Sequence, residues 1–187
     1  MNERAQVILH FWFNEIPHKE RFMKNESTDQ KIRTNFLQDY IKATNNEYDD
    51  WQKNSKECLA LILLLDQFSR NLFRNDERAF AMDKKEKKIA INAINYRHHE
   101  KLNQDYIMFI FLPFMHSENL KDQIYCIHLI DNYFKDNPSY EQAKKYSIIH
   151  KDIIKKFGRF PHRNEILGRM STMEELDYLL SDNAFKG

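Results

Sequence analysis

The run LALILLLDQF, residues 59–68, places seven apolar residues in succession directly ahead of an aspartate. A helix carrying it is apolar on nearly every side between Leu59 and Leu65, which marks a central, buried element. No segment of the chain alternates at period two over the length of a strand. Glycine numbers 3 and proline 4 in 187 residues. Sandwiches, barrels and Rossmann sheets need more turn-forming residues than that. The scarcity also leaves no GxGxxG or GxxxxGK[ST] loop to cradle a phosphate.

Amphipathic helices surround the central one. Ala5, Ile8, Leu9, Trp12 and Phe13 share a face by their three- and four-residue spacing. Ser27 or Thr28 is expected to cap a helix whose stripe is Ile32, Phe36, Leu37, Tyr40 and Ile41. The central helix starts near Asn54. A fourth is expected from Asn75 or Asp76, with KKEKK at 84–88 as a solvated face. Asn103 caps QDYIMFIFL, which Pro113 bends or ends. Ser117 is the expected cap of the next helix, and Asn137-Pro138 restarts the chain for another. That one stops at Gly158, a residue suited to the left-handed position beyond a helix end. Pro161 starts a short helix and Gly168 stops it. Ser171 with Glu174, or Thr172 with Glu175, forms a capping box for the last helix. The reading is one all-α domain over residues 1–187, about eight helices joined by short connections as antiparallel hairpins.

Bulk charge narrows the partners. The net charge is +1, from 29 basic and 28 acidic residues. General nucleic-acid binding calls for a basic excess. Cys58 and Cys126 lie far apart in apolar stretches and read as reduced core residues. The N-terminal MNERAQVILHFWF lacks the features of a signal peptide, and the longest apolar run, 106–115, is too short to span a bilayer. A cytoplasmic protein without membrane contact is expected. Motifs for metal are missing: no HExxH, no EF-hand loop and no CxxC. No metal and no cofactor are expected, and the oligomeric state is open.

Polar chemistry concentrates in three blocks at helix ends. In LLLDQFSRNLFRNDERAF, residues 63–80, Asp66 and Arg70 are four apart with the acid first, the favoured order for a helical ion pair. In FLPFMHSENLKDQ, residues 111–123, His116, Ser117 and Glu118 occupy a helix junction. In FGRFPHRNEILGR, residues 157–169, Glu165 and Arg169 are again four apart. Arg159, His162 and Arg163 gather at the start of the short helix, where free N–H groups and guanidinium forks suit an anion.

These blocks, together with VILHFWF at 7–13 and HKDIIKKFGRFPHRNEILGRMSTMEE at 150–175, resemble a bacterial family of unknown function, number 924 among such domains. The resemblance covers most of the chain. It implies an all-helical, tetratricopeptide-like array and supplies no reaction. The chain departs from the family's usual Asp-Gln-Phe-Pro-Arg-Asn in having Ser69 at the proline position.

The blocks support three functional readings. The first is a binding module. Trp12 and phenylalanines line a pocket, Arg70, Arg159 and Arg163 hold a small anion or a peptide carboxylate, Gln67, Asn71 and Asn164 orient it, and His116 and His162 are further candidate ligand contacts. The second is a metal-independent enzyme using His116 or His162 as acid–base, with Glu118 or Asp66 orienting the imidazole. The third is a polar network, built on pairs such as Asp66–Arg70 and Glu165–Arg169, that locks helices together while a protein partner sits elsewhere.

Overall fold

The computed structural model describes residues 1–185. Among them are eight helices and no strand. Helix α1 spans Glu3–His10 and runs on as a π turn, Phe11–Glu15. Helix α2 is Glu26–Thr44. Helix α3 comprises Ser55–Leu63, a π turn at Leu64–Phe68 and a last α turn, Ser69–Leu72. Then come α4 (Asp83–Asn95), α5 (Gln104–Met115), α6 (Leu120–Tyr133), α7 (Tyr140–Phe157) and α8 (Met173–Leu180). No helix among the described residues is long and apolar enough to cross a membrane.

The chain forms two compact units. Unit 1 contains residues 1–74 and 78–113; unit 2 contains residues 75–77 and the chain from Phe114 onward. In unit 1, every residue from Leu59 to Leu65 is fully buried, as the apolar run demands. Trp12, Phe11, Phe36 and Phe68 pack against it, with Phe11–Phe36 centroids 4.8 Å apart and Trp12–Phe68 centroids 5.5 Å apart. In unit 2, α6 packs on α7, and Cys126, Leu129, Ile130, Ile153, Ile154 and Phe160 are buried. Both cysteines are free and buried, and burial pushes the Cys58 thiol up to about 12.

Helix starts correct the sequence in detail. Asn25, not Ser27 or Thr28, caps α2, its side chain accepting from Thr28 N. Asn119, not Ser117, caps α6, while the Ser117 hydroxyl donates to Asp122. Asparagine caps as well as serine does, so two adjacent candidates are not separated by residue type. The helix expected from Asn75 or Asp76 begins only at Asp83. Asn75 adopts a positive φ of 59°, and a single 3-10 turn, Glu77–Phe80, intervenes. Gly158 does take the left-handed conformation, φ 70°, at the end of α7. The capping box falls on Thr172 and Glu175. Pro113 lies inside α5, near its end.

Candidate functional site

Two polar clusters stand out, one within each unit. The first is built on the π turn of α3. A π turn inserts one residue into the helical repeat and shifts the phase of the turns beyond it. Here it carries Asp66 and Gln67, both buried, and Asp66 is fully so. Arg70 Nη1 pairs with Asp66 Oδ1 at 2.8 Å, and Gln67 Nε2 donates to Asp66 Oδ2 at 2.7 Å. The backbone carbonyl of Asp66 accepts from Ser69 Oγ at 2.7 Å and from Arg70 Nη1 at 2.9 Å. Ser69 therefore caps nothing. Its hydroxyl satisfies backbone carbonyls, that of Ala79 included at 3.2 Å.

Helix α4 brings two further carboxyls. Arg70 Nη2 donates to Asp83 Oδ1 at 3.2 Å and lies 3.9 Å from Glu86 Oε1. The ring of Phe80 lies 5.7 Å from the Arg70 guanidinium. Glu86 is fully buried and meets no N–H donor among the described residues, but its carboxyl shares a hydrogen bond with that of Asp66. Burial, then the neighbouring Asp66, holds its carboxyl well above the usual range, against the pull of Arg70. Burial works against the charge on the Arg70 guanidinium, but Asp66, Asp83 and Glu86 outweigh that and keep it firmly charged.

Other unit 1 candidates have structural partners. Asn71 Nδ2 donates to Asp29 Oδ1 at 2.7 Å, and Arg74 holds the same carboxylate, tying α3 to α2. Trp12 is fully buried between Phe68 and Phe109, in the core and not on a pocket wall.

The second cluster occupies residues 158–175 and the start of α6. Arg159 grips Glu175 at two points, 2.7 and 2.8 Å, and donates to Met170 O. Asn164 Nδ2 reaches Ser171 Oγ at 3.0 Å and Glu175 Oε2 at 3.2 Å. The Arg159 bond, assisted by Thr172 N–H and Asn164, draws the Glu175 carboxyl down to about 2 against its burial. Arg169 grips Glu118 at 2.7 and 3.0 Å, and its Nε donates to Asn164 Oδ1 at 3.0 Å. Phe160 N donates to Glu118 Oε1 at 2.8 Å. Burial raises the Glu118 carboxyl, but Arg169 and the Phe160 amide prevail and hold it below its ordinary value.

The expected pairing of Glu165 with Arg169 gives way to Arg169–Glu118. Four-residue spacing aligns side chains only on an α-helix. Pro161 starts a single 3-10 turn, Pro161–Arg163, and residues 164–168 are turns. The same fact removes the helix N-terminus expected to attract an anion, since one turn aligns too few peptide dipoles.

Aromatic rings and imidazoles enclose the other side of this segment. Phe160, fully buried, has His150 at 5.5 Å, His162 at 5.4 Å and the Arg163 guanidinium at 4.6 Å. Phe185 lies 4.5 Å from His150 and 5.3 Å from His162. Burial first, then Arg163 and His150, lowers His162 to about 3. Burial lowers His150 to about 4 despite its bond to Tyr146 O, with His116 and Arg163 adding to the effect. Both are neutral imidazoles at neutral pH. The buried Nδ1 of His162 has no hydrogen-bond partner among the described residues. His116 enters this group through its effect on His150.

Sequence reading overlooks Asp83, Glu86, His150 and Glu175 as members of these clusters. The KKEKK run is a solvated face only in part, because Glu86 is buried while Lys84 and Lys88 are exposed. Glu86 lies three, four and seven residues before Ile89, Ala90 and Ala93, the buried stripe of α4. That spacing is the available signal.

This fold defines an all-helical protein whose two units each bury an arginine–carboxylate network. Residues 8–183 match the family described as bacterial protein of unknown function (DUF924), and the chain belongs to that family. It is similar to a solved structure, the protein of unknown function ATU0120 from Agrobacterium tumefaciens. That likeness has 34% identity and a TM-score of 0.87, and it covers 95% of this chain and 97% of the other. No curated protein matches the chain.

Proposed function

We propose that the protein binds a small anion, a carboxylate or phosphate ester, in unit 2 beside Phe160. The observation that carries this reading is His162. Its Nδ1 is buried and meets no partner among the described residues, and three of the four charged or chargeable neighbours acting on it, Arg163, His150 and Arg169, favour negative charge there. A neutral imidazole N–H beside a fixed guanidinium is a fitting pair of donors for a carboxylate or phosphate oxygen. Aromatic rings supply the apolar wall usual in ligand sites.

The geometry favours binding over acid–base catalysis. A histidine whose pKa is drawn to about 3 is a poor proton acceptor at neutral pH. It also narrows the binding residues. Arg70 and Arg159 are fully engaged with acids, which supports a scaffolding role for them, and Asn164 orients that scaffold. The ligand would meet His162 and Arg163, with His150 behind them and His116 adjusting the charge. The hairpin of α6 and α7 supports a tetratricopeptide-like unit over residues 120–157. Two buried free thiols suit a reducing compartment and so a cytoplasmic location.

Native mass spectrometry of gently purified protein, paired with thermal unfolding in inorganic phosphate, acetate and succinate, tests the reading. At least one probe is expected to raise Tm saturably, and His162→Phe, which keeps the ring but removes the nitrogen, abolishes the rise. A clean apo mass with no saturable rise for any probe would overturn it.

A further inference from the structure

Each unit carries an exposed apolar patch, and the two patches are of opposite charge. In unit 2, α8 is anchored by its inner face, where Glu175 is buried and held by Arg159 and Tyr178 packs on Phe157. Its outer face is an apolar stripe. Met173, Leu176 and Leu180 follow one another at three- and four-residue spacing and are 74%, 43% and 86% exposed. Met170, just ahead of the helix, is 90% exposed. An exposed apolar face of this kind, rimmed by polar residues, marks an interaction surface. Its rim is acidic. The charged residues of 170–183 are Glu174, Glu175, Asp177 and Asp182, with no base among them. Lys156 meets Glu174 at 3.1 Å, while Asp177 lies directly beside the stripe, next to Leu176.

We infer that the α8 stripe docks on residues 18–24 of a second copy of the chain. That segment, HKERFMK, belongs to unit 1 and complements the stripe. Phe22 and Met23 are 54% and 63% exposed, and Lys19 and Lys24 stand exposed on either side of them. The one acid of the segment is engaged elsewhere: Glu20 is half-buried and accepts from Asn25 Nδ2 at 2.9 Å and from Thr28 Oγ1 at 3.4 Å. Arg21 is engaged as well, donating to Phe13 O and Ile16 O. The Phe22 ring lies nearly parallel to that of Phe109, centroids 5.8 Å apart, so the patch is preformed and binding need not order it. Apolar side chains flanked by lysines therefore match apolar side chains flanked by carboxylates. Charge disfavours the symmetric alternatives. Two α8 stripes would bring Asp177 of both copies together, and two 18–24 segments would bring lysine against lysine; like charges across an interface are costly. The contact is heterologous, with each copy giving a different face.

Sedimentation velocity of the full chain over a range of concentrations provides the test. Wild type is expected to associate reversibly as concentration rises, and less so at high salt. Met23→Glu/Lys24→Glu spoils one face, and Met173→Glu/Leu180→Glu spoils the other. All of these side chains are exposed, so both variants should keep the wild-type circular dichroism spectrum. Each variant alone should associate at least about tenfold more weakly than wild type. A mixture of the two should recover a one-to-one complex that grows no further, because it holds one intact copy of each face. A wild type that stays monomeric, a variant that associates as wild type does, or a mixture without that complex would overturn the inference. The first of these outcomes would assign the α8 stripe to a basic partner other than this chain.

Discussion

The cluster of unit 1 and the cluster of unit 2 use the same residue types to opposite electrostatic ends. In unit 2, Arg159 meets Glu175 and Arg169 meets Glu118 in two-point pairs, with Asn164 bridging the two. The groups beyond those pairs are imidazoles under a positive field. In unit 1, Arg70 is shared among Asp66, Asp83 and Glu86, and Glu86 receives the least of it. Pairing arginines with acids is thus a scaffold in both. What each unit holds beside its pairs differs: neutral imidazoles in one, a carboxyl held above its ordinary range in the other.

The largest expected effect separates the scaffolds by the donors each buried carboxylate keeps. Arg70→Ala leaves the fully buried Asp66 without its cation, with Gln67 still donating, and should cost about 3–5 kcal/mol in urea unfolding. Arg159→Ala leaves Glu175 with Thr172 N–H and Asn164 as donors, so about 1–2 kcal/mol is expected. Equal losses would break the comparison, since they would mean the unit 2 network is as dependent on one guanidinium as that of unit 1.

Acid should separate the units next. His150 and His162 have pKa values lowered to about 4 and about 3 from 6.5. Below pH 6.5 the unfolded chain therefore binds protons that the folded chain refuses. Their contribution is fully present above pH 6.5 and falls as the pH drops toward 4. The loss between pH 7 and pH 5 should be about 4 kcal/mol. Hydrogen exchange across that range should show amides of α7 losing protection before those of α3. His150→Phe should flatten part of the dependence.

How much of this is legible in the sequence depends on periodicity. The burial of 59–65, the left-handed Gly158 and the Thr172–Glu175 box arise from patterns that act within one helix or turn. The inward face of Glu86 is legible too, through Ile89, Ala90 and Ala93, but the flanking lysines conceal it. The π turn at Leu64–Phe68 is not legible. It depends on where the buried helix must re-aim Asp66 and Gln67, and local residue preference does not encode that. Arg169 choosing Glu118 is equally hidden. The two are separated by 51 positions, and only the collapse of 164–168 into turns brings the guanidinium round.

The smallest expected effect tests how far the unit 2 scaffold acts as one body. Thr172 Oγ1 accepts from Glu175 N at 3.2 Å, while Glu175 Oε2 accepts from Thr172 N at 2.8 Å. Thr172→Ala removes only the first, longer bond. A lost cap of this kind costs about 1 kcal/mol. In a chain of this size that lowers Tm by roughly 2–4 °C. Thr172→Ser should restore it. Glu175 is also the acceptor for Arg159 and Asn164, however, so its position is over-determined. If the network holds it in place, Thr172→Ala stays near that small value and the Arg159 pair persists. A loss approaching that of Arg70→Ala would show that cap, arginine pair and amide bridge fail together, and that unit 2 depends on its scaffold as heavily as unit 1 does.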